Sequence, residues 1–288
     1  MLLASLTLLS LAAAPPTDTT FTVQRGERLE LSRQNGDITV RAWNRNTVQV
    51  QVSGGDDDDE DRGGVTVRRR AGVIRFDDRG RPGDDADYTI MVPAWMDLTL
   101  DGVNTTIRVT GSEAAISAQT VEGDVVVEGG NGVLNLQSVD GEVTLTNGRG
   151  KITLGSVNSD VSVDGASGQL SIEAVNGEVR LRGIDSDDVD ANTVNGDITF
   201  DGPIRPRGSY RFVTHNGDIT LGVPEGVDAV VGISTYAGDF ESDFPVTTRG
   251  SLKKRFSFTL GAGSARIELE SFQGTIRLSR ATPSRTRR

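Results

Sequence analysis

The sequence contains no cysteine, so it can form no disulfide, no thiolate nucleophile and no cysteine metal site. It contains one histidine, His215. Histidine-rich zinc sites are thereby removed, and any Ser/His/Asp chemistry would rest on that single residue. Aromatic residues are only 5% of the chain, too few to line a long sugar-stacking cleft. Positive charge is in the minority, giving a net charge of −11. Phosphate backbones are repelled on average by such a surface, so nucleic acid is not an expected partner. Long apolar runs are also missing. The best one, Met1 to Ala14, ends in Ala12-Ala13-Ala14 and is shorter than the ~20 residues that span a bilayer. It reads as a signal peptide over 1–14. The expectation is an exported protein, periplasmic, surface-bound or extracellular, with no transmembrane segment.

Glycine is abundant, with 35 residues, and it recurs in a fixed phrase. "QNGDITV" at Gln34 to Val40 returns as "VNGDITF" at Val194 to Phe200 and "HNGDITL" at His215 to Leu221. The third position of the phrase falls at Thr105, Gly123, Gly141, Ser159, Gly177 and Gly196, at intervals of 18 with one of 19. The count then widens to 21, twice, through Gly217 and Gly238. A short fixed period is the signature of a solenoid. A second phrase lies nine residues on, beginning at Gly132, Gly150 and Gly168. Each coil therefore holds two strands and two turns.

Apolar and polar residues alternate within each strand, as a half-buried strand requires. One inward column is Ile107, Val125, Val143, Val161, Val179, Ile198 and Ile219. The next is Val109, Val127, Leu145, Val163, Leu181, Phe200 and Leu221. The opposite wall is Ile116, Leu134, Ile152, Leu170 and Val189, with Ala118, Leu136, Leu154, Ile172 and Ala191 beside it. Val103, Val121, Val139, Val157, Val175 and Val194 are read as a corner column that completes five apolar side chains per coil. Stacking at ~4.8 Å would then close a continuous dry core. The Asn-Gly and Asp-Gly pairs mark the corner, where positive φ is expected to favour glycine. Asn158 and Asn176, and likewise Asn195 and Asn216, are expected to stack as amide ladders.

The fold class that follows is all-β: one elongated parallel β-solenoid of about 18 residues per coil. Residues 18–100 are strand-like but less regular, and read as an N-terminal β cap on a solenoid of residues 101–279. Phe21, Trp43, Trp95 and Met96 belong to that cap and core. Asp56 to Asp61 form an acidic, glycine-framed loop that lacks the spaced ligands of a calcium site. The segment around Leu260 to Leu269 reads as a second cap. Residues 280–288, with Arg280, Arg285, Arg287 and Arg288, read as a basic disordered tail.

The layout resembles the DUF4097 adhesin-type family. Asn35-Gly36-Asp37-Ile38 with Ala42-Trp43 matches the family's opening phrase, and Met91-Val92-Pro93 its next strand. The repeated coils follow, and Leu260-Gly261-Ala262-Gly263 through Leu278 matches its closing phrase. The resemblance covers about residues 21 to 279. It implies a β-solenoid exported from bacterial cells and supplies no catalytic residues.

Enzymatic motifs fare poorly. A calcium nonapeptide repeat would need Asp where the chain has Leu134. A polysaccharide lyase or hydrolase would need a walled cleft with opposed carboxylates, and the turns here are short. The expectation is a non-enzymatic envelope or surface protein that binds an envelope polymer or protein through its solenoid faces, with no cofactor. The alternative is a scaffold that self-associates end to end through open strand edges. One acidic column recurs once per coil: Asp124, Glu142, Asp160, Glu178, Asp197 and Asp218. Either these carboxylates accept backbone N–H groups at the corner, or they gather divalent cations. Asp and Glu both occur along the column, which favours the first.

Overall fold

The computed structural model describes residues 17–54, 66–77, 86–246 and 254–281. The leader, the acidic loop at Asp56 to Asp61 and most of the basic tail lie outside the described residues. Two 13-stranded sheets run the length of the molecule and face one another. Each coil contributes one strand to each sheet. Arg149–Ser156 and Val161–Asp164 form one such pair. Successive coils pair in parallel and in register, Ile152 opposite Leu134 and Leu170, and Val161 opposite Val143 and Val179. The four predicted inward columns are buried throughout. One apolar cluster extends from Val23 near one end to Leu278 near the other. The core widens where Phe200, Tyr210 and Phe212 meet, with ring centroids 5.2–5.9 Å apart. The Tyr210 hydroxyl, buried there, donates to the Ser186 carbonyl at 2.7 Å.

Three expectations change. First, the six corner valines are not in the core: they are 37–44% exposed. The buried position beside them belongs to the preceding hydroxyl residue, Thr120, Ser138, Ser156 or Thr193, each at most 5% exposed. Strand parity dictates this, because Leu134, Leu136 and Ser138 share one face and Val139 must take the other.

Second, the corner glycines are chosen mostly for closeness rather than for positive φ. Gly123 has φ 127°, and the opposite turn has φ 106°, 112° and 110° at Gly132, Gly150 and Gly168. Gly141, Gly177, Gly196 and Gly217 are not in the left-handed region. A Cβ on Gly141 would overlap the Gly123 carbonyl oxygen, and one on Gly196 the Gly177 oxygen. The same carbonyls accept the buried hydroxyls. Ser138 Oγ donates to Gly123 O at 2.9 Å, Thr193 Oγ1 to Gly177 O at 3.1 Å and Thr214 Oγ1 to Gly196 O at 2.9 Å. These hydrogen bonds satisfy groups that would otherwise be costly to bury.

Third, the coils leave sequence order at the C-terminal end. Ser209–Thr214 pairs with Ala265–Ser271, not with Ala229–Thr235. Ile219–Val223 likewise pairs with Ile276–Arg280. The coil of Ala229–Thr235 and Phe240–Ser242 stacks outside that inserted one. Gly217 is therefore followed in space by Gly274, and Gly238 lies beyond it. The segment expected as a cap supplies an internal coil instead, and antiparallel Arg255–Leu260 closes the sheet.

At the other end, Arg28–Asn35 and Ile38–Trp43 form a regular coil of their own. They run parallel to Asp97–Asn104 and Ile107–Ser112. Antiparallel strands Thr17–Thr22 and Thr47–Gly54 cap one sheet there, and Thr66–Arg70 caps the other. Met96 is buried, and Phe21 and Trp95 pack on the core.

The register makes a direct test. Leu154 is fully buried and Thr153 faces outward. Leu154→Asp, which buries a charge in mid-column, should cost more than ~4 kcal/mol in urea unfolding. Thr153→Asp should stay within about 1 kcal/mol of the parent.

Candidate functional groove

A three-residue unit recurs at one corner of successive coils: an outward-facing residue, a buried hydroxyl and an exposed valine. Gln119-Thr120-Val121, Gln137-Ser138-Val139, Gly155-Ser156-Val157 and Asn192-Thr193-Val194 are examples. Glu173-Ala174-Val175 keeps the pattern without the hydroxyl. The first and third residues of each unit flank a groove that runs along the solenoid axis. Its volume is about 740 Å³, and it extends from Asp101 and Gly102 to Thr193 and Val194. One rim is the valine stripe. The other is the row Asp101, Gln119, Gln137, Gly155, Glu173 and Asn192. At the Asp101 end, burial and the neighbouring Glu30 push that carboxyl above its ordinary value.

The stripe does not stop at Val194. The inserted coil brings aromatic residues into the same position. The Asn216 amide donates to the Val194 carbonyl, Gln273 to His215 and Ala237 to Phe272. The stripe therefore continues as His215, Phe272 and Tyr236. His215 and Phe272 stack at 4.6 Å and 11°, and Phe272 and Tyr236 at 4.7 Å and 2°. Tyr236 is 58% exposed and Phe272 37%. Lys254 Nζ lies 3.5 Å from the Tyr236 ring centroid. Nine stripe positions at the rung spacing cover about 38 Å. His215 is exposed at the corner. Its aromatic partners were hidden, because Phe272 reaches it only through the out-of-order coil.

Beyond the valines runs an amide ladder. Asn176 donates to Asn158, Asn195 to Asn176 and Asn216 to Asn195, at 2.8–3.0 Å. Asn158 donates to Asp140. The two predicted pairs are thus parts of one continuous ladder.

The acidic column lies next to it. Asp124 accepts the Glu142 amide at 2.9 Å, Asp160 the Glu178 amide, Asp197 the Asp218 amide and Asp218 the Thr275 amide, each at 2.8 Å. Asp and Glu have different roles here. Glu142 accepts from the Thr144 hydroxyl, and Glu178 pairs with Arg180. Among the described residues no group of three or more His, Cys, Asp or Glu is arranged to hold a metal ion. Burial pushes the Asp160 carboxyl up, but the Glu178 amide and the Arg180 guanidinium outweigh it and hold the group below its ordinary value.

The Toastrack DUF4097 family model matches residues 16–279. The chain belongs to the Toastrack DUF4097 family. The Toastrack architecture recurs in a crystal structure named a "putative adhesin" from Parabacteroides merdae. Its TM-score is 0.53 at 10% identity, over 91% of this chain and 95% of that one. A "putative adhesin" from Bacteroides fragilis has a TM-score of 0.43 at 13% identity, covering 91% and 95%. A "putative lipid binding protein" from Parabacteroides distasonis has a TM-score of 0.43 at 10% identity, covering 91% and 96%. Likeness at such identities concerns the fold alone. No curated protein matches the chain.

A depressed folded-state pKa at Asp160 gives stability that is present above the unfolded value and lost as pH falls through the folded one. Asp160→Asn should therefore lower the Tm at pH 7, and the deficit should close as pH falls below the ordinary value of 3.8. With backbone amides already satisfying the column, millimolar calcium at fixed ionic strength should leave the Tm of the parent within about 1 °C of its value in chelator, because only a ligand that binds the folded state raises it.

Proposed function

We propose that this Toastrack protein is a non-enzymatic binding protein of the bacterial envelope or surface, and that it holds a linear, largely neutral glycan along the valine groove. The observation that carries the proposal is the exposed, rung-periodic valine stripe beside an open groove. A monomer seldom leaves so continuous an apolar line in water without a use.

The occupant is argued from the groove's chemistry. Valine methyls recur at a constant step and face the amides of Gln119, Gln137 and Asn192 across the groove, so a ligand that itself repeats meets an apolar contact at each rung. A sugar chain offers such a repeat, with C–H faces and hydroxyls. A peptide strand cannot add to this face by β-augmentation. The backbone N–H and C=O groups point along the axis and are already paired between coils. Asp101 and Glu173 on one rim, with Glu122 and Asp140 next to the valines on the other side, disfavour a polyanion. Export to the envelope is consistent with the apolar leader and with family membership.

Gly155 supplies the test. Its φ is not in the left-handed region. An added Cβ would meet Glu173 O at 3.5 Å and Gln137 Cγ at 3.9 Å, which is ordinary contact. The fold does not require glycine there, and a glycine within a strand costs roughly 0.5–1 kcal/mol. It leaves a notch in the middle of the groove, where a ligand can approach the backbone. Gly155→Val should keep or raise the Tm. It should also weaken retention at least tenfold in affinity electrophoresis against soluble neutral polysaccharides such as dextran, β-glucan and glycol chitin. No new reducing ends should form with either protein. Equal retention of parent and variant, or no retention of the parent by any neutral polymer, would sink the proposal.

A further inference from the structure

The chemistry of the groove changes sharply at its C-terminal end. Past Val194 the stripe is three stacked rings, and two cations stand beside them. A hollow of about 370 Å³ is lined by His215, Phe272 and Tyr236 together with two cations, Lys254 and Arg255, and one carboxylate, Glu270. A second hollow of about 550 Å³ adjoins it and shares Arg255 and Ser234. Neither cation has an ion pair with a carboxylate among the described residues, whereas Arg211 pairs with Asp190 and Arg266 with Glu268.

The register explains why the charge stays open. The outward row runs Asn192, Val213, Glu270, Ser234 and Arg255 on successive strands. Ser234 separates Glu270 from Arg255, so these two lie two strands apart, about 9–10 Å. Glu270 shares the hollow with Arg255 but makes no ion pair with it among the described residues, so the guanidinium keeps its hydrogen-bond donors for a ligand. The rings contribute in the same sense. Stacked face to face, they turn their edges to the solvent, and the edge of an aromatic ring is the positive part of its quadrupole. Lys254 closes the outer face of the stack. Positive ring edges, an ammonium and a guanidinium thus outnumber the one carboxylate, Glu270, at this hollow in a protein of net charge −11.

We infer that this end of the groove is a recognition site for a single carboxylate-bearing sugar, a uronate or comparable sugar acid, at the end of or branching from the glycan held by the valines. The inference rests on the groove reading for the rest of the chain and adds the anionic residue. The carboxylate takes charge-assisted hydrogen bonds from Lys254 and Arg255. Oxygen atoms of the sugar acid meet the positive rims of Tyr236 and Phe272, and its hydroxyls reach Ser234. Two cations suit one anionic group. A polyanion would meet Glu270 at once and the acidic rims beyond.

The test compares cellobiouronic acid, which carries one carboxylate, with cellobiose and with inorganic phosphate. The measurement is the amide NMR shift of the labelled full chain. The acid should bind at least tenfold more tightly than cellobiose and perturb the amides of Ser234 to Tyr236 and of Phe272. Arg255→Gln and Lys254→Gln, both at exposed positions, should each weaken the acid at least fivefold with unchanged Tm and leave cellobiose unaffected. Added salt should weaken the acid and spare cellobiose. Equal binding of acid and cellobiose overturns the inference, as does an Arg255→Gln protein that binds the acid like the parent. Phosphate that matches the acid in affinity also overturns it, since the site would then hold a bare anion. The Gly155→Val protein separates the two proposals. Loss of neutral-polymer retention there, with no preference for the acid here, leaves the groove standing without the end site. The converse result leaves the end site standing alone.

Discussion

Everything along the solenoid depends on how closely one coil's corner can sit on the next. At Gly141, Gly177, Gly196, Gly217 and Gly274 the backbone of one coil rests directly against the carbonyl of its neighbour, with no room for a methyl group between them. That contact keeps the rungs at strand spacing even where the chain turns. Four of these five carbonyls, those of Gly123, Gly177, Gly196 and Gly217, also accept a buried Ser or Thr hydroxyl, so the corner is both close-packed and hydrogen-bonded. Once successive corners superimpose, every neighbouring position must form a ladder too. Amides meet amides, carboxylates meet the next backbone N–H, and valines line up in the solvent. The alignment of the exposed stripe is thus set by a constraint that lies one residue inside it, whereas the choice of valine at those positions is not.

Much of this is legible in the residues. The period of 18 and the alternation of Ile, Val and Leu are enough to write down four core columns and their facing partners. The difference between Thr153 and Leu154 needs only parity. The exposure of the valines was available from the same parity, since Ser138 continues the inward count of Leu134 and Leu136. Hydrophobicity pulls the reading the other way: a valine repeated six times looks like core, and a serine looks like surface. The hydrogen bond from Ser138 to the Gly123 carbonyl reverses both assignments, and no periodicity reveals a carbonyl that needs a donor.

The order of the last coils is not legible. The phrases at Gly217, Gly238 and Gly274 are near equivalents, and each offers the same glycine, the same apolar alternation and the same corner. Any of them could follow another on local grounds. The choice is made by long-range fit at the end of the stack, where the Phe240, Phe256 and Phe258 rings form a terminal cluster. The aromatic continuation of the stripe, and with it the change from amide-lined to cation-lined groove, follows from that choice. It could not be read from residues that lie 57 positions apart in the case of His215 and Phe272.

The inserted coil also imposes a timetable. A chain made from the N-terminus can, from Asp97 onward, lay down coil after coil, each on a finished template, as far as Ile219–Val223. The next segment, Ala229–Ser242, then has its permanent seat on strands that come later in the chain. It must wait, or pair provisionally and be displaced, until Ala265–Arg280 has slipped in beneath it. The stack therefore closes like a latch, with its last-made rung held between two earlier ones. Fraying from the C-terminal side cannot peel that rung away without first lifting the coil above it.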